Sequence, residues 1–156
     1  MMDIGTNSDS SELSNFTHYI FWFDGILCNS MEGLLQAFKF EDQKKAFKVC
    51  QLIGVKAKYR GKKRNKAWKS QQCLWWKGIR YERDSDEYQT LLDMAYNALN
   101  ENSEFRNNLM KTKGHKLTHK KYGSMDETKT ILTRSEFCDR LMLLRGKEDA
   151  NTSMEM

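Results

Sequence analysis

Glu32, Gln36 and Lys39 interrupt an otherwise apolar stretch, SMEGLLQAFKF, at residues 30–40. In an α-helix, at about 100° per residue, positions i, i+4 and i+7 fall within roughly 60° of one another. The three form a polar stripe beside an apolar face of Met31, Leu34, Leu35 and Phe38. A carboxyl and an amine held together in a partly dry cleft can do chemistry. The carboxyl can give or take a proton, and a desolvated amine can lose its charge and attack an electrophilic carbon. The bland reading competes with this one. Asn29-x-x-Glu32 has the spacing of a capping box, in which Glu32 serves only its own helix while Gln36 and Lys39 face water.

The charge pattern bears on what such a stripe would meet. The chain of 156 residues carries a net charge of +5 and a pI near 9.0. Residues 56–69 read KAKYRGKKRNKAWK, with eight basic residues and no acidic one. A second run, KTKGHKLTHKK, covers residues 111–121. Either run alone could be a solubilising face, but two runs with aromatics nearby favour a polyanion or a pyrophosphate as ligand. Trp68 lies inside the first run, where a flat ring beside cations suits a nucleotide base; buried core is the ordinary alternative for Trp22, Trp68, Trp75 and Trp76. His119 has no partner at metal-ligand spacing. Cys28, Cys50, Cys73 and Cys138 form no CxxC pair, so core thiols in a reducing cytoplasm are expected rather than a disulfide framework or a zinc site. No apolar run approaches the roughly 20 residues of a membrane span, and the N-terminus lacks the pattern of a signal peptide.

The elements that must position these residues are mostly helical. YIFWF followed by Asp24-Gly25 and Ile26-Leu27-Cys28 reads as a β hairpin, because both turn residues need positive φ. Asn29 or Ser30 can cap the helix that carries the stripe. A second helix is expected over 42–52 with Gly54 after it. The basic run reads as a short helix or loop, and residues 68–76 as a further helical turn or two. Tyr88, Leu91, Leu92, Ala95 and Leu99 keep helical spacing within 85–101. Another helix starts at Ser103 and ends near Gly114. Thr133 with Glu136 has the capping-box pattern at the head of a last helix over 133–145, before Gly146. The expectation is mainly α: a single compact helical domain over 13–146 with a small N-terminal β hairpin, a flexible arm at 1–12 and a flexible tail at 147–156.

Several short motifs then resemble, in order, those of the NADAR superfamily, which includes the YbiA-type proteins. They are Asn15-Phe16 in ELSNF, Phe23-Asp24-Gly25, Ser30-x-Glu32 with Gln36 and Lys39-Phe40, AKYRGKK, Trp68, WWKG, the helix around YNALNENSEFRNNLMKTKG, LTH with Gly123, and TILTRSEFCDRLMLLR. The match covers roughly residues 13–145. The resemblance implies a mainly helical fold that cleaves N-glycosidic bonds of ribosyl compounds. Glu32 matches the family's essential glutamate, and Lys39 and Lys62 match two recurrent lysines, so these three are the expected catalytic residues. Asn15, Phe16, Gln36, Lys58, Trp68, Trp76, His119 and Gly123 fall within the matched motifs and are the expected substrate contacts. One motif departs. YbiA-type proteins carry Asp-x-x-Trp-Gly where this chain reads His119-Lys120-Lys121-Tyr122-Gly123, closer to a branch with Leu-x-His that resembles toxin-associated guanine de-ADP-ribosylases.

The resemblance therefore implies an enzyme that removes ADP-ribose from the guanine amino group in DNA, with ADP-ribosylated DNA as substrate and ADP-ribose as product. It also implies functional pairing with a DarT-type ADP-ribosyltransferase, in an antitoxin or counter-defence role. Neither a cofactor, nor a metal, nor a membrane partner is expected. Two other readings stay open: an N-glycosidase for ribosylamino-pyrimidine intermediates of riboflavin synthesis, and a non-catalytic module that binds ADP-ribose or nucleic acid.

Overall fold

The computed structural model describes residues 2–4, 11–118 and 124–155, with side chains up to residue 150. Strand β1 (Met2–Asp3) precedes a 3-10 turn (Ser11–Leu13) and the pair β2 (Phe21–Phe23) and β3 (Ile26–Cys28). Four short helices follow: α1 (Met31–Ala37), α2 (Gln43–Cys50), α3 (Gly54–Lys62) and α4 (Asn65–Gln71). Then come β4 (Cys73–Trp76), β5 (Ile79–Glu82), α5 (Asp86–Leu99), α6 (Ser103–Met110), β6 (Leu117–Thr118) and α7 (Arg134–Glu155). The fold is a mainly α, compact helical domain with small strand pairs, as expected.

The first hairpin forms where the sequence signals it. Phe21 pairs with Cys28 and Phe23 with Ile26, around Asp24 and Gly25 at φ of 50° and 81°. Positive φ at both loop residues matches the right-handed twist of the strands. The helical turn expected over 68–76 is present over 68–71, in α4, but from Cys73 a second hairpin replaces it. Cys73 pairs with Glu82 and Trp76 with Ile79, around Lys77 and Gly78 at φ of 49° and 80°. Lys-Gly is a weaker signal than Asp-Gly because lysine rarely enters the left-handed region, which is why the pattern misled.

α1 is the hub, packed on α2, α3 and α5. Its helix starts at Ser30, whose Oγ accepts from Gly33 N at 3.0 Å. The capping-box reading of Asn29 and Glu32 is therefore corrected: the Asn29 N–H donates to the Cys50 carbonyl, and Glu32 is free for other work. Gly33 lets α2 come close. A Cβ there would lie 2.6 Å from the Leu52 carbonyl oxygen. Gly61 does the same for α3, where a Cβ would collide with the Gln36 side-chain amide.

The core runs from Leu13 and Phe21 through Leu34, Phe38 and Trp68 to Tyr96, Phe137 and Leu141. All four cysteines are buried and unbridged. Residues 2–4, expected in a free arm, instead pair in parallel with β6 and bury Ile4. The last helix does not stop before Gly146 but continues to Glu155. Nothing crowds Gly146 and it needs no special φ, so it does not act as a stop. Among the described residues no helix is long and apolar enough to cross a membrane.

Candidate active site

Four segments and Asn65 of α4 line a cleft of about 670 Å3. α1 supplies Glu32, Leu35 and Gln36, with Lys39 one residue past its C-cap Phe38. The expected stripe is real, although Lys39 sits in the turn after the helix rather than on it. α3 supplies Val55, Lys58, Tyr59 and Lys62. Their i, i+3, i+4, i+7 spacing puts them on one face, while Ala57 and Gly61 are buried. The far wall is residues 130–133 with Phe137, and Ser14, Asn15 and Phe16 close one end.

Glu32 and Lys39 are each held by a neighbouring amide. Gln36 Nε2 donates to Glu32 Oε1 at 2.8 Å. Asn15 anchors the head of α1, because its carbonyl accepts from Glu32 N at 2.9 Å, while its Oδ1 accepts from the Tyr96 hydroxyl at 3.0 Å. Lys39 Nζ donates to Asn65 Oδ1 at 2.6 Å. Burial raises the Glu32 carboxyl above its ordinary range, against the hydrogen bond from Gln36 and the charges of Lys39 and Lys58. Burial also lowers the Lys39 amine to about 8, opposed by Glu32 and assisted by Lys69 and Lys58. Burial thus shifts the acid toward its protonated form and the amine toward its neutral form, the direction that acid–base and nucleophilic chemistry need.

The far wall is fastened from behind. Arg83, 1% exposed, forks onto Glu136 at 2.7 and 3.1 Å and donates Nε to the Thr130 carbonyl at 2.9 Å. The Tyr88 hydroxyl donates to the Ile131 carbonyl at 2.6 Å. Glu136 also completes the expected capping box, accepting from Thr133 N at 2.7 Å while Glu136 N donates to Thr133 Oγ1 at 3.1 Å. Burial would raise the Glu136 carboxyl, but bonds from Arg83, Gln89 and Thr133 hold it below its ordinary value.

The structure gathers Glu32, Lys39, Lys62, Asn15, Phe16, Gln36 and Lys58 around this one cleft. It does not place Trp68 or Trp76 there. Trp68 is 1% exposed, and its indole Nε1 donates to Asn65 Oδ1 at 3.3 Å. Trp76 packs among Phe23, Phe38 and Phe47 and donates to Asp24. The expected substrate contacts at Trp68 and Trp76, and with them the reading of Trp68 as a ring open to a base, are corrected: both rings are buried in the core. His119 and Gly123 lie outside the described residues. Sequence reasoning missed Tyr59, Asn65 and residues 130–133. The α3 stripe could have revealed Tyr59 once the basic run was read as a helix. Asn65 and the loop wall carry no periodic signal. Among the described residues no group of three His, Cys, Asp or Glu side chains is placed to hold a metal.

The family described as bacteriophage protein GP30.3 matches residues 7–146. An uncharacterised 17.1 kDa protein from the Gp30–rIII intergenic region of Enterobacteria phage T4 is 34% identical over 137 residues, covering 87% of this chain and 90% of that protein. The NMR structure of the E. coli protein YbiA is similar with a TM-score of 0.61 at 20% identity, covering 97% of this chain and 89% of that one. The YbiA-type fold expected from the motifs is therefore present.

Proposed function

The chain belongs to the bacteriophage protein GP30.3 family, and we propose that it is an N-glycosidase that releases ADP-ribose from the guanine amino group of DNA. The observation that carries this reading is the placement of the half-buried Glu32 carboxyl and the buried Lys39 amine in one lysine-rimmed cleft. Its volume of about 670 Å3 lies within the roughly 300–1,000 Å3 usual for small-ligand sites. Lys58 and Lys62 on its rim suit a pyrophosphate. Tyr59, 62% exposed, offers a flat face at the same rim.

The chemistry follows from the acid. The bond between ribose C1 and the exocyclic nitrogen breaks with its electron pair on nitrogen, and that nitrogen takes the Glu32 proton. Oxygen from water ends on C1, and a water proton restores Glu32. Charge that develops on the sugar is met by the carboxylate that remains. The products are ADP-ribose and unmodified guanine. A DarT-type transferase would supply the substrate. These partners and the counter-defence setting belong to the proposal.

The test compares ADP-ribosylated guanine DNA with ribosylamino-pyrimidines at one enzyme concentration, for the native protein and Glu32→Gln. Release of ADP-ribose from DNA by the native protein, lost in a folded Glu32→Gln variant that still binds, is the expected result. Turnover of the free metabolites alone would move the activity to small ribosyl compounds. Binding without turnover by both proteins would make the chain a binding module. Near-native turnover by Glu32→Gln would return Glu32 to a structural part.

A further inference from the structure

We propose that Asn65, fixed in turn by Trp68, is the positioning residue that aims the Lys39 amine into the cleft. The chemical value of this rests on the reading of the cleft given above; the geometry does not. Lys39 Nζ and Trp68 Nε1 both donate to Asn65 Oδ1, at 2.6 and 3.3 Å. An amide is an acceptor at one end and a donor at the other, and an indole N–H can only donate. Turning the Asn65 amide over would set its NH2 against the indole N–H, which cannot accept, and leave the buried Trp68 donor unpaired. Trp68 cannot yield, because its ring is 1% exposed in the core. Asn65 and Trp68 stand at i and i+3 of α4, so one helix face carries the arrangement. The tryptophan expected to touch substrate thus acts one residue removed, through Asn65 on Lys39.

The choice of an amide matters chemically. A neutral amine has two N–H groups and one lone pair. An acceptor partner occupies an N–H, so the lone pair points away from it. A carboxylate in the place of Asn65 would also accept, but it would hold the proton on Lys39. The other charged groups around Lys39 are Glu32 on α1, Lys58 and Lys62 on α3, and Lys69 on α4. Arg64, between those helices, donates Nε to the Lys39 carbonyl at 3.2 Å, and Glu41 is exposed two residues along the chain. Asn65 is the partner that touches Nζ itself.

The test is a pH titration of the Lys39 side-chain carbon signals by NMR in labelled protein without substrate, so it does not depend on turnover. Asn65→Asp should move the Lys39 midpoint up by roughly one unit or more. Trp68→Phe, which keeps a ring but removes the N–H, should displace the midpoint when Asn65 is present. It should leave the midpoint unchanged in an Asn65→Ala background, the signature of action through one intermediary. A native midpoint in Asn65→Asp overturns the proposal, as does an equal displacement by Trp68→Phe with and without Asn65. Asn65 is half-buried, so its variants do not open the core and the first arm stands even if Trp68→Phe is poorly stable. Failure of the glycosidase reading looks different: no ADP-ribose is released while Lys39 still answers to Asn65.

Discussion

At the residue scale the cleft contains two candidate amines, and their surroundings differ. Lys39 is 6% exposed and lowered to about 8, whereas Lys62 is exposed on the rim. A buried amine is the better nucleophile at neutral pH because a larger fraction of it is unprotonated. If C1 passes through Lys39, the amine displaces guanine, which departs with a proton; the C1–O4 bond of the ribose then opens, the second amine proton goes to O4, and the resulting lysine imine remains until water hydrolyses it. Borohydride added during turnover should therefore reduce that imine and leave ADP-ribose attached at Lys39. Attachment at Lys62 would reassign the nucleophile, and full turnover with no attachment would favour direct attack by water. The same burial has a stability signature. A lysine whose folded value is depressed from 10.5 to about 8 favours the native state only above its unfolded value, and that contribution is lost as pH falls through about 8. At pH 7 the strain is full, on the order of 3 kcal/mol from about 2.5 units. Lys39→Met should accordingly raise the denaturant midpoint at pH 7 and gain less with each step toward pH 10.5. A flat difference across that range would mean Lys39 is not strained by burial. The polar stripe was legible as spacing alone. Its true setting, with Asn65 on the amine and Trp68 behind it, was not, since the Lys39–Asn65 bond spans 26 residues of chain and the local Trp68–Asn65 contact means nothing without it.

At the element scale the cleft exists because two helices approach α1 closely, and glycine permits each approach. The Cβ of Gly33→Ala would meet backbone carbonyls of Leu52 and Val49 at 2.6 and 2.9 Å, which cannot swing aside. Gly61→Ala would instead meet the Gln36 side chain, the group that orients Glu32. Overpacking of this kind costs about 1–3 kcal/mol. Gly33→Ala should therefore lose more stability than Gly61→Ala, whereas Gly61→Ala should lose more turnover for each unit of stability lost. Gly146→Ala is the control. It sits within α7 with nothing near its Cβ, so it should gain roughly 0.5–1 kcal/mol. Chemical denaturation of the three variants checks the order, and a Gly146→Ala protein less stable than native would show that α7 ends where the sequence suggested. Helix starts were the most legible elements. Ser30, Asp42, Ser85 and Asn102 each accept a bond from their own first turn, because a cap is a local contact. Lys77-Gly78 was misread because lysine is an unusual residue at positive φ, and the helix through Gly146 because a glycine with ordinary φ inside a helix looks like a stop. The far wall was hidden for a different reason: Arg83 reaches across 53 residues to Glu136.

At the scale of the whole molecule the sum of the charges is less telling than their arrangement on α3. One stripe of that helix, Lys58 and Lys62, faces the cleft. A second, Lys56, Arg60 and Lys63, follows i, i+4, i+7 spacing and is exposed. None of these three takes part in an ion pair among the described residues, although Lys77, Arg80, Lys113 and Lys129 elsewhere do. Unpaired surface cations add little to folding, so the outer stripe can be removed without harm to the native state. On the proposed substrate, a DNA strand whose modified base enters the cleft has to leave along some surface, and the outer stripe is the adjacent one of opposite sign. Each phosphate neutralised contributes about 0.9 to the slope of log affinity against log salt for duplex DNA and about 0.7 for single strands. Replacing Lys56, Arg60 and Lys63 together with glutamine should therefore reduce that slope by up to about 2–3 and leave the melting temperature nearly unchanged. Release of ADP-ribose from a modified mononucleotide, which has no flanking phosphates, should stay at the native rate. An unchanged slope with modified DNA would move the nucleic acid to another face. A parallel loss on the mononucleotide would instead place the outer stripe in the cleft's own electrostatics.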